Sequence, residues 1–152
     1  TITNNIESFD KGTNRSIIKI QDDLKQINFL PLICYEIIYS GNLTKDFDFD
    51  FILNISEDGW FGKSIGPDQH FAKSIFRAIE NNTFFLRSAN KGVSAIIDNK
   101  GTIIKKLNRN EAGNIEFDVP LIESKKIKND LIFFGLLITY LLFFFTYRKN
   151  GK

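Results

Sequence analysis

The sequence predicts an α/β domain followed by one membrane-spanning helix. Short apolar runs of strand length recur through it, one segment between the second and third runs has helical spacing, and a long uncharged stretch lies near the end. The 152 residues suffice for one domain with a true core and are too few for two.

The stretch 1–26 is polar and weakly patterned, and no element is assigned to it. Runs at 29–35 (FLPLICY), 49–56, 83–88, 93–98, 102–106 and 114–119 are enriched in Ile, Val or Phe and read as strands. Asn99, Lys100 and Gly101 separate two of them at hairpin spacing. A short helix is expected over 36–43. A longer one is expected from Pro67 to Glu80: Pro67 suits a first turn, Asp68 suits the positive N-terminal end, and Phe71, Ala72, Ile75, Phe76 and Ile79 form its apolar face. Asn81 and Asn82 stop it. The segment 131–147 (LIFFGLLITYLLFFFTY) has no charge and reaches about 25 Å as a helix, close to a bilayer core of roughly 30 Å. Its alternative is a buried core helix. Lys125, Lys126 and Lys128 precede it and Arg148, Lys149 and Lys152 follow, so charge gives no orientation.

Composition narrows the function. A net charge of +2 from 20 basic and 18 acidic residues lacks the basic stripe that a nucleic-acid backbone requires. Sixteen Phe and 43% hydrophobic residues exclude wholesale disorder. The single cysteine, Cys34, excludes an internal disulfide framework. The chain contains no methionine and begins with Thr1, so it is read as part of a longer protein or a processed product, with N-terminal parts missing.

Cys34 ends a strand and precedes a polar, helical segment, which places its sulfur on a strand-to-helix turn at a sheet rim. Nucleophiles are presented at such turns, but free cysteine is also a common core filler, and both readings stand. Glu36, two residues on, either orients a partner or binds backbone amides as a structural carboxylate. Trp60 and Phe61, between Gly59 and Gly62, are either core packing or a lid or lipid-touching tip. His70, the sole histidine, has no Cys or His at metal-ligand spacing, so no metal site is expected and a packing or hydrogen-bonding role is the default. Arg77 and Glu80 are expected to form an ordinary surface pair.

These residues fall into a recognisable order: LICYEII, then LNISEDGWFGKSIGPDQH, then RAIENNTFFLRSANKGVSAIID, closing with one hydrophobic span. From about Ile33 onward the chain resembles the C-terminal part of the apolipoprotein N-acyltransferase family, within the nitrilase or carbon-nitrogen hydrolase superfamily. The resemblance implies a nitrilase-like α-β-β-α sandwich, present in part, on the periplasmic side of a bacterial inner membrane. It implies residues 1–124 as part of the catalytic domain, 131–147 as a transmembrane helix and 148–152 as a basic tail.

It also implies a Glu-Lys-Cys triad in which Cys34 matches the nucleophile and Glu36 matches a supporting glutamate. Tyr35 matches the residue between them, and Trp60 and Phe61 match a mobile aromatic loop near the acyl-chain entrance. The family's base glutamate and catalytic lysine lie further upstream than this chain extends. Glu7 and Lys11 do not sit in the corresponding motifs and receive no role. Departures are mild: Glu57, Asp58 and Gly59 stand where Asn-Asp or Ser-Asp usually precedes Trp-Phe, and Asn90, Lys91 and Gly92 replace a common Asn-Asn-Gly. The implied reaction moves an acyl group from a phospholipid to the amine of a diacylglyceryl-cysteine lipoprotein through a thioester, with no cofactor. Two alternatives remain: a small-amide or nitrile hydrolase, and an inactive membrane-tethered remnant.

Overall fold

A computed structural model of the chain describes residues 16–21, 25–41, 43–44, 48–121 and 130–150. Glu7, Lys11 and most of the unassigned N-terminal stretch lie outside these residues, as do Lys125, Lys126, Lys128 and Lys152.

Six strands form one sheet whose spatial order follows the chain: β1 (Ile18–Gln21), β2 (Gln26–Ile33), β3 (Phe51–Glu57), β4 (Phe84–Asn90), β5 (Ser94–Ile97) and β6 (Ile103–Leu107). β2, β3 and β4 are parallel, while β1, β5 and β6 each run antiparallel to their neighbours. The parallel pairs require crossovers. A 3₁₀ turn at Cys34–Ile38 opens the first, and a 3₁₀ turn at Asp58–Phe61 followed by α1 (Gly66–Asn81) forms the second. The carboxyl ends of three adjacent strands therefore meet at one edge, where sites in parallel sheets are usually built.

Alternation decides the faces. Leu30 and Leu32 of β2, Ile52 of β3, Phe85 of β4 and Ala95 and Ile97 of β5 are buried together with Ala78 of α1, with Phe71 and Ile75 packed against them. Burying each Leu or Ile side chain here stabilises the fold by roughly 1.5–3 kcal/mol. On the other face Phe29 stacks on Phe51 with ring centroids 5.6 Å apart, and Phe84 continues the row.

Five of the six expected strands are present as β2 to β6. The sixth, 114–119, is extended without a ladder. Phe117 lies against Phe84 at 6.3 Å, and Ile115, Phe117 and Val119 bound a groove of about 340 Å³ with Leu53 and Leu86. Its period-2 pattern marks one apolar side of an extended chain, and here that side packs across the sheet instead of pairing at its edge. β1, unassigned from sequence, is exposed on both faces, and its alternation of Ile18 and Ile20 with Lys19 and Gln21 runs for only four residues. The expected hairpin turn is there: Gly101 N–H donates to Asp98 O at 3.0 Å, and Gly101 takes a φ of +84° that a side chain would resist.

Helix α1 starts at Gly66 with Pro67 in its first turn and ends at Asn82, whose left-handed φ of +49° closes the helix. Its most buried stripe is not the apolar one expected. Pro67, His70, Ser74, Arg77, Ala78 and Asn81 are buried, whereas Phe76 and Ile79 are exposed. Asn81 Nδ2 donates to Arg77 O at 2.8 Å and Arg77 donates to the Tyr39 carbonyl, while Ser74 Oγ and Arg77 Nε are buried without a partner among the described residues. Arg77 also pairs with Glu80 at 2.9 Å, but with a side chain only 6% exposed it is a buried clamp and not the surface pair expected. The short helix expected over 36–43 is confined to the 3₁₀ turn Cys34–Ile38.

Helix α2 (Asp130–Asn150) contains an 18-residue apolar window, Leu131–Arg148, long enough to cross a bilayer, and none of that window is buried. By length and composition α2 is a candidate membrane span, and the sheet with α1 on one face precedes it in the chain.

Candidate active site

β2 delivers its chain to the sheet rim, and at Cys34 the backbone turns left-handed, with φ +46°. For a residue with a Cβ this conformation costs roughly 1–2 kcal/mol, so surrounding contacts must hold it. Three sets do so. Ahead of the turn, the Glu36 carboxylate accepts the Ile33 N–H at 2.7 Å. At the turn, the Cys34 carbonyl accepts from His70 Nε2 at 3.2 Å and from Asn54 Nδ2 at 3.4 Å. Beyond it, Glu80 Oε1 accepts from Ser40 Oγ at 2.9 Å and from the Gly41 N–H, while Arg77 holds the Tyr39 carbonyl. The thiol is partly exposed.

Behind the sulfur lies a buried polar network. Ser56 Oγ is 3.6 Å from Cys34 Sγ and donates to Asp58 Oδ1 at 2.7 Å. Asp58 follows the carboxyl end of β3 and is 1% exposed. Its carboxylate also meets Arg87 Nη2 at 2.9 and 2.7 Å and His70 Nδ1 at 2.9 Å. Arg87 Nη1 in turn donates to Asn54 Oδ1, and Asn54 Nδ2 donates to Leu32 O at 2.9 Å. In the parallel register Asn54 lies directly opposite Arg87. An unpaired buried carboxylate or guanidinium would cost several kcal/mol, and here each is paired.

Burial works to raise the Asp58 carboxyl. The hydrogen bonds from His70 and Ser56 and the charge and hydrogen bond of Arg87 outweigh it and hold that carboxyl at about 2, against an ordinary 3.8. Burial pushes the Arg87 guanidinium below its ordinary value, against the opposing pull of Asp58 and of the Cys34 sulfur. Arg87 remains a cation, its charge within electrostatic reach of that sulfur.

The carboxyl end of β4 completes the rim. Lys91 is left-handed at φ +57°, and a Cβ built on Gly92 would lie 2.1 Å from Asp58 Oδ2. The Asn90, Lys91 and Gly92 sequence thus lets backbone approach the buried carboxylate where no side chain fits.

The sequence-predicted residues are only partly brought together. Tyr35 and Phe61 flank the His70 ring at 5.8 and 5.4 Å and line a cleft of about 120 Å³ with Ile38, Gly66, Gln69 and Lys73. Trp60, on the same turn as Phe61, is 87% exposed and does not line that cleft. The larger groove near Phe117 has no boundary with Cys34. His70 has the hydrogen-bonding role taken as its default, and among the described residues no three His, Cys, Asp or Glu side chains converge as metal ligands.

Sequence reasoning missed Asn54, Ser56, Asp58 and Arg87. Their signal was present: Asn54 and Ser56 continue the buried alternation of Ile52, and Arg87 interrupts the apolar run FFLRS. A cation facing inward from a strand demands a buried carboxylate nearby.

A thiol on a clamped left-handed turn, at the carboxyl edge of parallel strands and backed by a buried ion network, makes this an α/β sheet protein with a candidate site at Cys34. The sequence profile described as carbon-nitrogen hydrolase matches residues 4–129, and the chain belongs to that family. It is 42% identical over 131 residues to the apolipoprotein N-acyltransferase of Rickettsia bellii, covering 84% of this chain and 26% of that protein. It is 50% identical over 91 residues to the enzyme of that name from Rickettsia prowazekii, covering 59% of this chain and 18% of that one. With the Rhizobium rhizogenes protein the identity is 39% over 109 residues, 71% of this chain and 20% of the relative. The chain thus spans about a quarter or less of the length of these curated relatives. Among solved structures, a mutant Nesterenkonia amidase of the nitrilase superfamily matches with a TM-score of 0.46 and 13% identity, over 69% of this chain and 42% of the amidase.

Proposed function

We propose that this chain is the nucleophile-bearing part of an apolipoprotein N-acyltransferase, acting within a longer enzyme that supplies the base glutamate and the lysine. Cys34 is its nucleophile. The thiolate attacks the ester carbonyl of a phospholipid, a thioester forms, and the lysophospholipid leaves as an alcohol that takes up the proton. The free amine of a diacylglyceryl-cysteine lipoprotein then attacks the thioester, an amide forms, and the thiol is regenerated with the amine's proton.

The observation that carries this reading is the presentation of Cys34: a partly exposed cysteine held in a conformation that its backbone would not adopt unaided. Glu36 supports that turn through its bond to the Ile33 N–H. Tyr35 and Phe61, on the small cleft, and Trp60, standing in solvent, form the acyl-chain approach. α2 spans the bacterial plasma membrane and keeps the catalytic residues, within 1–124, beside the lipid substrates on the periplasmic side. Residues 131–147 are the span and 148–152 its basic tail. A small-amide hydrolase is the second reading, favoured by the family profile, but it gives no use to an exposed apolar helix.

The test is acyl-enzyme formation from phospholipid labelled in its acyl chain, in detergent. The longer protein is expected to take up label as a hydroxylamine-labile thioester, its Cys34→Ser form to take up none, and the 152-residue chain alone to remain unlabelled. Turnover retained in Cys34→Ser would refute the nucleophile assignment.

A further inference from the structure

Resting on that reading, we infer that His70, oriented by Asp58, is a positioning residue for the nucleophile: its Nε2–H fixes the Cys34 carbonyl and so keeps the left-handed turn that presents the sulfur. His70 does not touch the thiol itself through any hydrogen bond; it acts on the main chain one peptide away.

The geometry leaves the ring little freedom. The Cys34 carbonyl and the Asp58 carboxylate both only accept, so the bonds at Nε2, 3.2 Å, and at Nδ1, 2.9 Å, each take a hydrogen from the ring. Arg87 Nη2 stands 3.2 Å from Nδ1, and Tyr35 and Phe61 pack beside the ring. With His70 3% exposed, Asp58 1% and Arg87 4%, rotation of the ring would strand buried polar atoms. The same Asp58 oxygen that faces Nδ1 accepts from Ser56 Oγ, which stands 3.6 Å from the thiol. One carboxylate therefore anchors both supports of Cys34, through its carbonyl by way of His70 and through its sulfur by way of Ser56. Asn54 adds a second, longer bond to the carbonyl and is tied to the same Arg87.

A backbone held this way is a matter of catalytic geometry more than of substrate affinity. Loss of the His70 bond lets Cys34 relax toward extended φ, where the strain is relieved and the sulfur loses its fixed place beside Ser56. The effect belongs to the chemical step.

The test compares His70→Gln, whose side-chain nitrogen reaches the place of Nε2, with His70→Asn, whose nitrogen stops at the place of Nδ1. Because the chain has one cysteine, selective carbon-13 labelling of cysteine gives a single Cys34 signal whose Cα and Cβ shifts report its backbone conformation. In micelles, wild type and His70→Gln are expected at left-handed values and His70→Asn at extended ones. In the longer protein, His70→Asn should slow acyl-enzyme formation roughly 10- to 100-fold at a KM within about twofold of wild type, the range expected for one hydrogen bond in a charged network, while His70→Gln restores most of the rate.

A His70→Asn protein with Cys34 still left-handed overturns the inference. If His70→Asn does not fold, a folded His70→Gln with extended shifts overturns it, and one with left-handed shifts supports it. Failure of wild type to label with phospholipid would sink the acyltransferase reading alone, since the shift measurement needs no substrate.

Discussion

Substituting Gly92 with alanine probes the buried carboxylate from its one open side. Gly92 follows β4 without a left-handed φ, so alanine there carries no backbone penalty and the effect is steric. The new Cβ would lie 2.1 Å from Asp58 Oδ2, 2.6 Å from its Cγ and 2.8 Å from its Cβ. Carbon needs about 3.5 Å, so the carboxylate or the 91–93 backbone must give way by more than about 1 Å. Asp58 cannot move so far while keeping bonds of 2.7 Å to Ser56, 2.7 and 2.9 Å to Arg87 and 2.9 Å to His70. Overpacking costs about 1–3 kcal/mol, and weakening one charge-assisted bond adds roughly as much, so a loss of about 3 kcal/mol is expected. Gly62→Ala separates backbone strain from crowding: nothing lies within 4 Å of its added Cβ, but φ +59° with ψ −138° is a region kept almost wholly for glycine, at a cost of about 1–3 kcal/mol. Urea unfolding in micelles reads both stabilities, and the Cys34 carbon shifts, expected to move in Gly92→Ala alone, read whether the turn loosens. If Gly92→Ala costs less than about 1 kcal/mol and leaves Cys34 unmoved, the claim that Asp58 anchors the site is wrong.

Two further outcomes follow from the same geometry. The Asp58 carboxyl lies at about 2 in the folded chain against 3.8 otherwise, so its contribution is fully present above pH 4 to 5 and disappears as pH falls through about 2. The advantage of wild type over Asp58→Asn in urea unfolding should therefore shrink by about 2 kcal/mol between pH 5 and pH 2; a constant gap would contradict the depressed value. Trp60→Ala, at a side chain 87% exposed, should change stability by less than about 0.5 kcal/mol and, under the acyltransferase proposal, raise KM for phospholipid in the longer protein; a marked loss of stability would place Trp60 in the core instead.

How much of this was legible in the sequence depends on which residues had a local signature. β2 to β6 and α1 were readable because Leu30, Ile52, Phe85 and Ile97 bury a face at period 2 and because Pro67 and Asn82 punctuate the helix. β1 was not, since the alternation of Ile18 and Ile20 with Lys19 and Gln21 is only four residues long and lies in a polar stretch. The 114–119 run had the pattern without the pairing, because alternation specifies an apolar side and leaves open whether that side meets a sheet face or a neighbouring strand. On α1 the apolar positions were identified, but the stripe that is deepest was set by tertiary partners of His70 and Arg77 that no local rule contains.

The candidate site shows the same division more sharply. Cys34 and Glu36 were visible because a strand meeting a polar helical segment is a local event, and the left-handed turn is its structural form. What holds that turn comes from Asn54, Asp58, His70 and Arg87, between 20 and 53 positions away and spread over β3, the 3₁₀ turn after it, α1 and β4. Arg87 breaks an apolar run and His70 is the sole histidine, but no segment names its partner; the four become a unit because β2, β3 and β4 are parallel and bring three carboxyl ends to one rim. The glycine at 92 belongs to that unit although it contributes no side chain, because its bare Cα is what lets the third strand end close over Asp58. A strained left-handed turn needs a rigid polar support, a rigid polar support must be buried to avoid competition from water, and a buried one must be fully paired. The chain meets these three demands with one carboxylate, which is why Asp58 is where the architecture is most easily broken.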